Sequence, residues 1–264
     1  MSSPSWTWFR KGIDPGTIIT LDQPPSSQWK TTQWKILEKL NERDYQVVKE
    51  LYDEYGYYSF ASTKLLCCDP EDPAQKAFMR IYLQVPYRGT EIDDPDTRGR
   101  QARAFTSSEL ITYQRLTQKR LSNTPKLLGY KTGTQDRSGP VPGGFVVWLV
   151  WEMVPGLHLG DEDGAGPFWD LERYERDQVR EAFIEAFPKL LRNGYSPDLY
   201  KAKTLVWHKE TQTLYFIGRF NEAGKPKRPF KIEVWIAAFQ LAKPHPEDRW
   251  SDEDWDGNTS RWEW

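Results

Sequence analysis

The chain has 264 residues, 38% of them hydrophobic and 28% charged, with a formal net charge of -2. That length suffices for one large domain or for two small lobes around a shared core. No apolar run approaches the ~18 residues of a membrane span, and the opening MSSPSWTWFRKG lacks the apolar stretch of a secretion signal, so a cytoplasmic protein without membrane contact is expected.

In chain order, residues 1–30 are rich in Pro, Ser and Trp, with turns at Asp14-Pro15-Gly16 and Pro24-Pro25, and are expected to form an extended arm. From Thr32 to Tyr55 the apolar residues Trp34, Leu37, Leu40, Val47, Val48 and Leu51 predict one or two amphipathic helices broken near Asn41, so residues 1–63 are expected to be an arm and helices packed on the body. Strands are predicted at Lys64 to Cys68 and at Ala77 to Val85, AFMRIYLQV, which is dense in β-branched and aromatic residues. The neighbouring Cys67 and Cys68 suit neither a disulfide nor, with only three histidines in the chain, a zinc site; buried, reduced thiols are expected, and neither a metal nor a cofactor.

Pro86 to Arg103, with Glu91, Asp93, Asp94 and Asp96, is predicted to be a mobile insertion. Ser107-Ser108-Glu109 opens a helix with Leu110, Tyr113 and Leu116 on one face. Thr124 to Tyr130 is a turn into a strand, and Gly144 to Met153, GFVVWLVWEM, is a long apolar strand ended by Val154-Pro155-Gly156. Phe168 to Asn193 has the apolar spacing of one long helix, with Gly194 as its stop. A turn carrying Asp198 follows, then short strands at Thr204 to Trp207 and Leu214 to Gly218, and a last amphipathic helix from Phe230 to Leu241.

Charge is polarised along this order. Five basic residues and no acid lie between Tyr113 and Lys131. Eight more (Lys201, Lys203, Lys209, Arg219, Lys225, Lys227, Arg228 and Lys231) stand against Glu210 and Glu222 between Leu199 and Lys231. The tail from Glu247 carries seven acids against Arg249 and Arg261, together with Trp250, Trp255, Trp262 and Trp264. A solvated charged face is the plain explanation; a polyanionic ligand at the basic centre, with the tail competing for it, is the sharper one. The tail tryptophans are expected to anchor residues 247–264 onto the body.

The order of elements resembles a protein kinase. Asp198-Leu199-Tyr200-Lys201-Ala202-Lys203 stands where a kinase has D-L-x-x-x-N, and Ile217-Gly218-Arg219-Phe220-Asn221 where it has I-D-F-G. Arg80 takes the place of the lysine on the V-A-I-K strand, and Glu109 that of its helix partner. Phrases such as MRIYLQVP, TPKLLGY, VPGGFVVWLVWEMVPG and FWDLERYERDQVR resemble kinase-like proteins of filamentous fungi over residues 64–223. The resemblance implies an α+β, protein-kinase-like two-lobe fold, with a small β-rich N-lobe at 64–155 and a truncated helical C-lobe at 156–246. It also implies an adenine slot formed by backbone groups after the strand that ends at Met153. No G-x-G-x-x-G loop is present, and cations replace the metal ligands: Lys203 for the asparagine, Arg219 for the aspartate. A cation cannot coordinate magnesium.

Arg80, Lys201, Lys203 and Arg219 are therefore candidates for holding a phosphate-bearing ligand without metal. Three functions compete. The first is a retasked transferase resembling the fungal arginine-containing cyclodipeptide synthases, with aminoacyl-tRNA as partner and no DNA; Asp198 would act as base, Glu109 would bind a guanidinium or ammonium, and Tyr195 would assist proton transfer. The second is a non-catalytic pseudokinase scaffold, and the third an atypical small-molecule kinase. The plainer role of each carboxylate is structural pairing with Arg80 or Lys203, or with Arg219 in place of a lost structural ion.

Overall fold

The computed structural model describes residues 7–24, 31–224 and 230–264. Lys225, Lys227 and Arg228 of the basic centre, Pro25 of the expected turn and the first six residues lie outside the described residues. The chain divides into two compact units, residues 1–118 with 126–153 and residues 119–125 with 154–264. No described helix is long and apolar enough to cross a membrane.

The first unit is an antiparallel sheet with one substantial helix. Its elements are β1 (Ile18–Thr20), β2 (Gln33–Tyr45), α1 (Lys49–Tyr55), β3 (Phe60–Cys68), β4 (Lys76–Gln84), α2 (Pro95–Gly99), α3 (Ser108–Gln118), β5 (Leu127–Thr134) and β6 (Phe145–Glu152). The strand order is β1-β2-β3-β4-β6-β5. Side chains alternate across each strand, and one face gathers Trp34, Ile36, Ala61, Leu65, Cys67, Ala77, Met79, Ile81 and Val150 into a dry core. Phe9, Ile13 and Leu21 complete that core. The extended arm expected at residues 1–30 is anchored on this core by Phe9, Ile13 and Leu21, with Arg10 to Gly12 and Asp14 to Gly16 exposed between them, and the boundary at residue 63 falls inside β3.

The helices expected between Thr32 and Tyr55 are mostly strand; only α1 is helical. Trp34 and Ile36 alternate into the core, but register shifts between Ile36 and Glu38 and between Lys39 and Asn41 reset the alternation. A strand that inserts residues in this way loses its period of two, and the surviving spacing imitates a helix.

The segment from Pro86 to Arg103 is tied down. Asp94 caps α2 by accepting from the backbone N–H groups of Asp96 and Thr97. Buried Gln101 accepts from Tyr87 N at 2.9 Å, and Arg98 donates to the Pro140 carbonyl at 2.7 Å. Cys67 and Cys68 are buried and reduced; burial pushes the Cys67 thiol well above its ordinary range.

The second unit contains β7 (Leu157–His158), α4 (Gly166–Trp169), α5 (Arg173–Arg192), β8 (Tyr195–Pro197), β9 (Leu205–His208), β10 (Thr213–Phe216), β11 (Phe220–Glu222) and α6 (Ile232–Ala238). The strands form β10-β9-β7 and β11-β8. Gly156 sits at φ +125°, and a Cβ there would stand 2.3 Å from the Trp207 carbonyl, so only glycine lets β7 approach β9. The helix expected from Phe168 to Asn193 is two helices, because Glu172 takes an extended conformation between them. The buried face of α5 packs Phe183 and Phe187, with ring centroids 5.1 Å apart, against Phe216 and Phe239.

The C-terminal tryptophans close on this unit. Trp255 and Trp262 are buried and stacked, with centroids 5.4 Å apart and planes 10° apart. Glu247 and Asp248 pair with Arg261, Asp252 with Arg249 and Glu263 with Lys243. These tail carboxylates are matched within residues 243–263 rather than with Lys201, Lys203 or Arg219.

Candidate functional site

Two carboxylate centres are built, one in each unit. In the first, α3 starts where Ser107 Oγ accepts from the Leu110 N–H at 3.2 Å, which sets Glu109 in the first turn. Arg80 stands on the face of β4 opposite the dry core, and its Nη1 donates to Glu109 Oε1 at 2.5 Å. Tyr82, two residues on and so on the same face, donates to Glu109 Oε2 at 2.5 Å. Burial works against the charge on Arg80, but Glu109 outweighs it and holds the guanidinium above its ordinary range. Burial, reinforced by Glu109, raises the Tyr82 hydroxyl, and burial raises the Tyr113 hydroxyl further. Glu109 is 5% exposed and each of its oxygens accepts one hydrogen bond, from Arg80 and from Tyr82, the structural pairing that was the plainer of the two roles expected for it.

Lys64 belongs to the same face and was not among the residues expected from sequence. It lies directly opposite Arg80 in the β3–β4 register, with its Nζ 3.8 Å from the centre of the Phe78 ring. Burial, then the charge of Arg80, pushes its amine down from 10.5 to about 8, with Glu109 opposing. The signal available in the sequence was the alternation of β3, which puts Lys64 on the face that a strand-borne Arg80 also uses.

In the second unit, Asp198 follows β8. Its backbone N–H donates to the Arg219 carbonyl at 2.8 Å. Arg219 Nη2 meets Asp198 Oδ2 at 2.9 Å, and Asn221 Nδ2 donates to Oδ1 at 2.9 Å. β11 pairs Phe220 with Pro197 and Asn221 with Ser196, which brings Arg219 and Asn221 beside the Asp198 turn. Asn221 was missed because a three-residue strand pair leaves no periodicity to detect. Of the pairings expected for the carboxylates, Glu109 takes Arg80, and Asp198 takes Arg219 rather than Lys203.

The remaining candidates disperse. Lys203 Nζ pairs with Glu162 at 2.9 Å, and Lys201 is exposed. Thr204 Oγ1 donates to the carbonyls of Lys201 and Leu199, at 2.8 and 3.2 Å, which folds the loop between Asp198 and β9. Tyr195 is buried, and its ring faces Lys119 Nζ at 5.4 Å. Among the described residues no three His, Cys, Asp or Glu side chains gather to hold a metal ion.

No family model matches the sequence. No curated protein matches it either. Among solved structures, the chain is similar to the Cydia pomonella granulovirus kinase PK-1, with 16% identity and a TM-score of 0.40 over 76% of this chain and 59% of that one. It is also similar to vaccinia related kinase 3, with 16% identity and a TM-score of 0.38 over 80% of this chain and 53% of that one. The chain therefore spans less than two thirds of the length of either kinase.

Proposed function

We propose that this chain is a kinase-like binding protein that neither uses magnesium nor transfers phosphate. The observation that carries this reading is the Arg219 guanidinium 2.9 Å from the Asp198 carboxylate. A kinase fills the corresponding surroundings with magnesium held by the aspartate of D-F-G and the asparagine of the catalytic loop. Here the positive charge is covalent, and Asn221 occupies the second oxygen of Asp198. In the first unit, the strand order and the Arg80–Glu109 pair support the kinase-like part of the proposal, since a kinase joins its strand lysine to a helix glutamate in this manner.

The test is ATP affinity measured by calorimetry in magnesium and again in EDTA. Equal affinities, or no binding in either, are expected; magnesium-dependent tightening that is lost in Asp198→Asn would overturn the proposal.

A second reading, the aminoacyl-tRNA-dependent transferase making an arginine-containing cyclodipeptide, draws on a different feature. The Asp198 side chain is 30% exposed, and each carboxylate oxygen keeps acceptor capacity beyond its one partner. Expression in a bacterial host followed by mass spectrometry of the medium decides it. New arginine-containing cyclic dipeptides that vanish with Asp198→Asn would replace the binding proposal.

A further inference from the structure

The α3-facing side of the sheet carries an imbalance of charge. Lys64 and Arg80 are cross-strand partners, and like charges placed directly opposite each other destabilise an antiparallel pair. Among the described residues Glu109 is the carboxylate bonded to Arg80, and each of its oxygens already accepts one bond, from Arg80 and from Tyr82. Lys64 is half-buried, and among the described residues no acceptor bonds its ammonium, which lies over the face of Phe78. A cation–π contact offsets part of the desolvation but leaves three N–H donors without an acceptor from the chain. A partly buried ammonium beside a guanidinium whose own counter-charge is spent is a site one negative charge short.

We propose that Lys64 is the binding residue of a site for an oxyanion, the phosphate, sulfate or carboxylate group of a ligand, with Arg80 fixed by Glu109 as its electrostatic support. Arg80 loses the role of primary phosphate ligand that its strand position implied, and Lys64 takes it. The site lies wholly in the first unit, so it stands or falls independently of the reading of Asp198 and Arg219.

Binding is coupled to protonation. The free amine titrates near 8, and a bound anion favours the charged form, so affinity falls as pH rises through that value. The charged groups acting on Lys64 are Arg80 from β4 and Glu109 from α3; on β2 the uncharged Asn41 lies opposite it, flanked on the same face by Glu38 and Arg43, opposite Leu66 and Ser62. Arg80 stays charged and Tyr82 and Tyr113 stay neutral between pH 7 and 9, because their shifts are upward.

The test is an NMR titration of the full chain with sulfate, which does not itself titrate in this range, reading the Lys64 and Arg80 amide resonances. Wild type is expected to shift saturably, with affinity falling about tenfold between pH 7 and pH 9, as the protonated fraction of an amine near 8 does. Lys64→Gln is expected to abolish saturation, and Lys131→Gln, an exposed lysine on β5, to leave it unchanged. Lys64→Arg keeps the charge and is expected to bind with no pH dependence, which covers the case of a Lys64→Gln chain that fails to fold. A comparison of inorganic phosphate with adenosine monophosphate then separates a free ion from a nucleotide's phosphate: equal affinities indicate the former, tighter adenosine monophosphate the latter. Linear, non-saturating shifts in wild type, or saturation that survives unchanged in Lys64→Gln, would overturn the proposal.

Discussion

Each unit contains a carboxylate gripped by a guanidinium, and the two pairs differ chiefly in solvent. At Arg80–Glu109 the side chains are 21% and 5% exposed, and a tyrosine hydroxyl completes the carboxylate. At Arg219–Asp198 they are 61% and 30% exposed, and the third partner is an amide. The first pair cannot exchange its partners for water, so the loss of one member strands a buried charge. The second can, and its Coulomb attraction is screened. The same chemical pair is therefore a structural clamp in one unit and a replaceable contact in the other.

Glu109→Gln should break that contrast most severely. Leaving Arg80 without its counter-charge is expected to cost about 3 kcal/mol, read as a lowered denaturant midpoint with an unchanged slope. Tyr82→Phe removes one charge-assisted hydrogen bond from the same carboxylate and should cost about 1.5 kcal/mol. Equal, negligible effects of the two substitutions would show that the clamp is solvated after all.

Titration sharpens the comparison. The Lys64 amine falls from 10.5 to about 8 on folding, so between those values the unfolded chain binds the extra proton and stability rises with pH. The burden is fully present below about 8 and is relieved as pH climbs. Tyr82 and Tyr113 are raised above 10; the unfolded chain loses those protons first, so their contribution falls as pH passes 10. Cys67, raised by burial above 9, opposes the gain beyond that value, so melting temperature should rise from about pH 8 toward 9, level off, and drop past 10. Lys64→Met should remove the rise and keep the drop, while a parallel profile in that variant would contradict the assignment.

The smallest effect is expected at the exposed pair. Asp198→Asn and Arg219→Gln should each change stability by less than about 1 kcal/mol, with the difference shrinking further in high salt. A large loss on either substitution would place this pair with the buried one.

Much of the first unit was legible because its central strands keep strict alternation: Ala77, Met79 and Ile81 point one way and Phe78, Arg80 and Tyr82 the other. The Arg80–Glu109 pairing followed from the resemblance and is formed. β2 was not legible, since its two register shifts erase the alternation. The packing of Phe9, Ile13 and Leu21 was hidden by the turn-forming residues around them, which report local conformation and not long-range burial. In the second unit, the union of Asp198 with Arg219 and Asn221 depends on β8 meeting β11, a contact across more than twenty residues that no local pattern encodes. Lys203 was expected beside Asp198 by motif position, but the turn held by Thr204 lets it reach Glu162.

The central claim, that Arg219 sets a cation beside Asp198 at the position where a kinase has the metal-binding aspartate of D-F-G, is tested most directly by turnover of terminally labelled ATP in magnesium, with wild type and Asp198→Asn measured side by side. Both proteins are expected to release label at the rate of the protein-free control. Magnesium-dependent release by wild type that disappears in Asp198→Asn would contradict the claim.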